Sequence, residues 1–292
     1  MIHRKPKADS NCSPNSTLLA CSSMKPRVFT AGFAAFALAL TGLLPSTGFA
    51  QTDLTWDITP GVVGVGNGTI ESGSGTWDTT TGNWTSDGGA NNVAWTDGDN
   101  AVFAAGTPGT VTLGGDVSVN ILTTAQDGLI LDLGGNTLTY TGTGFPGGWS
   151  MDASSTIQNG TINWGGSFAF RATGTTTTID ALVTGAGGFV SFNPGRLVLT
   201  NDANSFTGAV YSQNGGVFEV TSIGNKGEAS AAGAGTVLQL FNIGNLEHSG
   251  AADSTTNRDL QFGGAGNHAI NVSGAGSLDI SGGTLTNSMT VN

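Results

Sequence analysis

Apolar residues in the second half of the chain come in pairs separated by one position. Leu197/Leu199, Phe218/Val220, Leu238/Leu240, Leu260/Phe262 and Leu278/Ile280 follow one another at steps of 21, 20, 22 and 18 residues. A period of two puts both members of a pair on one face of a strand. Gly, Asn, Asp and Thr separate the pairs, which is turn chemistry. Leu113-Gly114-Gly115-Asp116-Val117-Ser118-Val119 and Leu133-Gly134-Gly135-Asn136-Thr137-Leu138-Thr139 repeat one phrase 20 residues apart. Beyond Ala50 no amphipathic pattern of helical period survives. A strand-turn unit of this length cannot bury its own apolar face, but stacked copies can, which predicts an all-β parallel solenoid over 110–292. A β-sandwich is the rival, and it calls for longer strands and stronger hairpin signals.

The first fifty residues have a different pattern. Met24-Lys25-Pro26-Arg27 opens a basic segment, Val28 to Leu44 is apolar apart from small residues, and Gly48-Phe49-Ala50 is small where signal peptidase reads. Residues 24–50 therefore read as a secretory signal peptide cleaved between Ala50 and Gln51. Its apolar run is too short and wrongly flanked for a membrane span. Residues 1–23 are polar and unpatterned, either an extended leader or a start assigned too early, with Met24 the true beginning. Leu18-Leu19-Ala20-Cys21 has the form of a lipoprotein box, but no apolar segment precedes it.

Removing this leader changes the charge and the thiol count. Both cysteines, Cys12 and Cys21, lie within it, so the exported part has no disulfide. What remains carries Arg171, Arg196, Lys226 and Arg258 against 19 carboxylates, 4 − 19 = −15. That balance excludes charge-driven binding to nucleic acid or to an anionic membrane. Membrane contact is left to the removed signal peptide or to an anchor beyond Asn292.

Three of the six tryptophans, Trp77, Trp84 and Trp95, fall within 19 residues of an otherwise polar stretch. Buried, they close the first coil of the solenoid, whose apolar edge must be covered. Exposed, they form a platform for a sugar. Their place at the start of the exported chain favours a Trp-rich N-terminal cap over 51–109, with carbohydrate contact the alternative.

Arg196-Leu197-Val198-Leu199-Thr200-Asn201-Asp202-Ala203-Asn204-Ser205-Phe206-Thr207-Gly208, then Gly215-Gly216-Val217-Phe218-Glu219-Val220, resembles the autotransporter-associated β-strand repeat, also called the passenger-associated transport repeat. Asn204, Phe206, Thr207, Gly208, Gly215 and Gly216 fall on its characteristic positions. The segment from Ile223 to Gly235 is similar to the stretch next to that repeat on its C-terminal side, with Ala232 where leucine is common. Gly75-Thr76-Trp77-Asp78, Gly82-Asn83-Trp84 and Trp95 to Phe103 resemble the opening of many such proteins. The resemblance covers about 75–140 and 196–240. It implies a right-handed parallel β-helix at the bacterial cell surface, outer membrane or extracellular space, exported as an adhesin-like passenger or stalk that meets surface glycans or a host or neighbouring cell. Such proteins end in a membrane barrel or a sorting segment, and neither pattern precedes Asn292. The chain is a fragment, a truncated frame, or a free secreted solenoid.

Candidate chemistry is sparse. His248 and His268 sit in loop-like contexts, with no thiol and one lysine beside them. A polysaccharide lyase, the serious enzymatic alternative on a β-helix, needs clustered basic residues, and the four here are spaced singly. Asp97-Gly98-Asp99-Asn100 is an oxygen-rich cluster, but Asp-Gly is also turn chemistry. Gly263 to Asn271 approaches a calcium-binding nonapeptide with His268 at the ligand position. No catalytic residue, metal or cofactor is expected.

Overall fold

The computed structural model describes residues 51–142, 148–165, 171–172 and 174–287. The signal peptide with Ala50, and the leader before it, lie outside the described residues. Gln51 is the first described and is exposed. The described part is all-β, with 26 strands and no helix.

The chain winds round three faces. The central face is a nine-stranded, wholly parallel sheet running from Gly75–Trp77 to Ala269–Val272. The first face begins with Asp53–Trp56 and is carried on by a five-stranded sheet from Phe189–Phe192 to Leu285–Asn287. The third face holds a four-stranded sheet, Val117–Val119 to Leu182–Thr184, and later the pair Ser254–Thr256 and Leu278–Ile280. Nine rungs at the spacing between strands give the central face a length of about 38 Å. The architecture is the parallel β-solenoid that the paired pattern predicts.

Register explains the core. On the central face Val111, Leu131, Ile157, Ile179, Leu199, Val220, His248 and Val272 occupy one inward column. A parallel column of Leu129, Ser155, Thr177, Leu197, Phe218, Leu246 and Ile270 runs beside it. Threonines and charged residues alternate outward, as a half-buried pleat requires. Burial holds until the last rung, where Val272 is 49% and Leu285 68% exposed.

The five apolar pairs are not one column. Leu197/Leu199 and Phe218/Val220 are in register on the central face, but the next pair there is Leu246/His248 and then Ile270/Val272. Leu238/Leu240 and Leu260/Phe262 pair with each other on the first face, and Leu278/Ile280 sits on the third. Two of the four steps, 197 to 218 and 238 to 260, are thus full turns on one face, and the other two, 218 to 238 and 260 to 278, cross to a different face. The coil lengthens to 28 residues, Phe218 to Leu246, where loop 221–236 stands in for a third-face strand, whereas the coil with loop 200–209 in that place stays at 21, Leu197 to Phe218. The repeated phrase is also one residue out of register past its corner, because Val117 pairs with Leu138, not Thr137. His248, loop-like by composition, is strand.

Corners use left-handed backbone. Asn193, Asn214 and Asn242 each turn the first face into the central one at φ 58°, 54° and 44°. Asparagine tolerates that region better than other side chains. Ile243, at φ 68°, does not.

Candidate functional site

The tryptophans lie inside. Trp77, Trp84 and Trp95 are 0%, 0% and 2% exposed, joined by Trp56 and Phe103. Trp84 lies 5.1 Å from Trp56, 5.0 Å from Trp77 and 4.9 Å from Trp95, mostly edge to face. Trp56 Nε1 donates to the Gly73 carbonyl and Trp95 Nε1 to that of Ser118. None presents a ring face to a sugar. The strand Trp84–Thr85 pairs antiparallel with Asp53–Trp56 and covers the first edge. Asn83 Nδ2 donates to the Thr76 carbonyl on the first central rung. The first strands of the solenoid, Asp53–Trp56 and Asn100–Phe103, are already paired in parallel within 51–109.

The repeat motif is a device for stacking loops. Where third-face strands stop, Asn204 replaces their ladder: its Oδ1 accepts the Val183 N–H at 2.8 Å and its Nδ2 donates to the Ala231 carbonyl at 3.1 Å. One buried side chain thereby ties three coils. Backbone bonds continue beside it, from Ser205 N to Val183 O, Thr207 N to Gly185 O and Ala234 N to Phe206 O. Phe206 is fully buried and meets Phe189 edge to face at 4.8 Å, with Trp164 and Tyr140 stacked beyond. Gly208 has no room for a Cβ, which would run into the Gly187–Gly188 backbone. Thr207 is exposed. Gly215 completes a corner at φ 82°, and a Cβ on Gly216 would meet the Ser191 carbonyl carbon at 2.8 Å.

Arg258 was not recognisable as part of this device. It is fully buried and donates to the Ala232 carbonyl at 2.8 Å, to the Gly233 carbonyl and to Ser230 Oγ at 3.3 Å. Burial draws its guanidinium down to about 10, against the pull of Glu228. Loop 221–236 is thus held by Asn204 on one side and Arg258 on the other. The partners are backbone carbonyls some 25 residues earlier, which no local motif records.

The other titratable candidates, except for the ring nitrogens of His268, are engaged in structure. Arg196 bridges Glu219 and Glu247, the latter at 2.8 Å, across three rungs of the outer central face. Lys226 pairs with Asp259 at 2.8 Å. His248 is buried with Nε2 2.9 Å from Ser254 Oγ, and His268 lies beside the Phe262 ring. Asp97 Oδ1 accepts the Ser118 N–H, Asp99 Oδ1 that of Thr52, and Asn100 bonds Asp53 and Asn120. Those oxygens join coils. Among the described residues no three His, Cys, Asp or Glu side chains converge as a metal site. A shallow groove of about 490 Å³ crosses coils between Asp127, Ser154, Thr176 and Arg196. Asp127 and Ser154 there already accept backbone N–H groups.

A capped, parallel β-solenoid whose coils are joined through buried side chains is the form expected of an autotransporter passenger region. The chain is homologous to a segment of such a protein, the adhesin BmaC autotransporter of Brucella suis biovar 1 (strain 1330), at 30% identity over 248 residues. The match takes in 82% of this chain and 6% of the relative, so the chain spans a small part of that protein's length. No family model matches the chain, so the repeat at 196–240 rests on its own residues. No solved structure matches it.

Proposed function

We propose that this chain is a non-enzymatic segment of an exported surface passenger, a stiff stalk or adhesin-like module that holds a contact face against a host or neighbouring cell. The observation that carries this reading is the homology to an autotransporter adhesin along most of the chain. The engagement of Arg196, Lys226 and Arg258 in bonds between coils, and of His248 with Ser254, supports a structural role. A ladder of parallel rungs resists bending because each coil shares backbone bonds and buried columns with the next.

The test is display and attachment on intact cells. Antibody against residues 51–292 should label unpermeabilised cells that express the gene, and deletion of the gene should reduce their attachment to a host-cell layer. Labelling only after permeabilisation sinks the reading. Release of unsaturated uronides from pectin or alginate by the purified protein would replace it with a lyase.

A further inference from the structure

Where on this stalk contact is made can be argued from its N-terminal end, an inference that rests on the surface role proposed above. Val62, Val63 and Val65 are 54%, 54% and 49% exposed. A single exposed valine is unremarkable. Three within four residues form a patch that water disfavours.

The loop that carries them is fixed. Gly64 N donates to the Asn92 carbonyl at 2.7 Å, Asn92 N to that of Val65 at 3.1 Å, and Gly68 N to that of Gly89 at 2.9 Å. Asn92 is itself buried, and its Nδ2 donates to the carbonyls of Asp57 and Gly82. A Cβ on Gly66 would run into Gly89 and Ala90, and one on Gly82 would come within 2.6 Å of Val63 N. The glycines are the reason the two loops lie this close. The valines are therefore held outward by the backbone and have no inward alternative.

Charge identifies what fits. Residues 51–109 carry Asp53, Asp57, Glu71, Asp78, Asp87, Asp97 and Asp99 with no Lys, Arg or His. Glu71 and Asp87 are exposed, and Asp87 belongs to the loop bonded to the valines. A second copy of this end, an acidic sugar or an anionic lipid would bring like charge against it. A basic segment would not. We propose that loop 61–66, with Glu71 and Asp87, is a docking surface for a basic polypeptide segment that carries apolar side chains.

The test uses the exported protein and three synthetic peptides of equal length: alternating Lys and Leu, alternating Lys and Ser, and alternating Glu and Leu. The Lys-Leu peptide should bind at least tenfold tighter than either of the others. The triple substitution Val62→Ser, Val63→Ser, Val65→Ser should erase that preference with little change in melting temperature, since each residue is already about half exposed. Glu71→Gln with Asp87→Asn should weaken binding severalfold and flatten its salt dependence. Equal binding by the valine variant, or by the Glu-Leu peptide, overturns the proposal. So does a dimer that the valine variant converts to monomer, which would make a second copy the occupant, or a patch already masked by residues 1–50 in uncleaved protein. If cells displaying the valine variant attach as well as wild type while deletion abolishes attachment, this surface is refuted and the stalk role stands.

Discussion

The Oδ1 of Asn204 accepts the backbone N–H of Val183 at 2.8 Å, one coil away, at a level where the third face has lost its strand. The side chain does there what a strand carbonyl does elsewhere, and its Nδ2 repeats the service for Ala231 in the following coil. Both partners are backbone groups taken out of water. Asn204→Ala should therefore cost about 2–4 kcal/mol, two unmet buried groups at the usual penalty. Denaturant unfolding monitored by circular dichroism measures this. Asn204→Asp should be worse at neutral pH and recover part of the loss in acid, because only the protonated carboxyl can donate to Ala231.

Trp84 is the centre of the cap, touching Trp56, Trp77, Trp95 and Phe103. Trp84→Ala should cost about 3–5 kcal/mol, as removal of a buried aromatic does. The loss should appear first as faster amide exchange in 53–56 and 100–103, the strands directly beneath. A variant that stays as stable as wild type but no longer binds a glycan would overturn the placement of this ring.

The architecture was legible because strand chemistry is local: Leu197, Leu199, Phe218 and Val220 alternate correctly, and the turns between them carry Gly and Asn. Coil length was not legible. Loop 221–236 adds residues to one coil, and nothing in its composition distinguishes a third-face loop from a strand turn. The cap reading of the tryptophans came from position and the need to cover an edge, and the rings are indeed inside. Asn204 could be picked out only through the resemblance, since its two partners are distant backbone atoms. Arg258 and His248 were missed for the same reason. A buried side chain whose partners lie a coil away leaves no pattern in its neighbours.

Arg258 is a buried cation that meets carbonyl dipoles and a hydroxyl, with no direct carboxylate partner among the described residues. Arg258→Ala leaves the buried Ala232 carbonyl without its donor and the Gly233 carbonyl with only Ser230 Oγ, and should destabilise by about 1–3 kcal/mol. Arg258→Lys keeps the charge but has no planar fork to span Ala232, Gly233 and Ser230, so it should rescue little. Limited proteolysis provides the readout, with cleavage expected first within 225–236.

Ile243 offers a change of the opposite sign. It is β-branched, half-exposed and at φ 68°, where a branched Cβ crowds its own backbone. Ile243→Gly should relieve about 1 kcal/mol of that strain and raise the melting temperature. Its side chain contacts the Gly266 position of the next coil, so a fall in stability would show that this contact outweighs the strain.

Acid should loosen the outer surface of the central and first faces before the core. Glu247 is held below the usual carboxylate range by the hydrogen bond from Ser273, which with the contact to Arg196 outweighs the opposing effect of burial. Asp259 is lowered in the same direction by Lys226 and the Thr284 N–H, and Asp132 by Asn159 and the Gly134 N–H. A carboxylate whose folded value lies below its unfolded one stabilises the fold fully above the unfolded value and loses that contribution as pH falls through the folded value. Melting temperature should accordingly be flat near neutrality and decline once pH drops below about 4, where unfolded carboxyls take up protons that the folded chain refuses. Glu247→Gln should lower stability at pH 7, where Arg196 loses one of its two partners, and should make the acid decline shallower. A Glu247→Gln variant with an unaltered acid limb would remove this carboxylate from the account and leave the decline to Asp132 and Asp259.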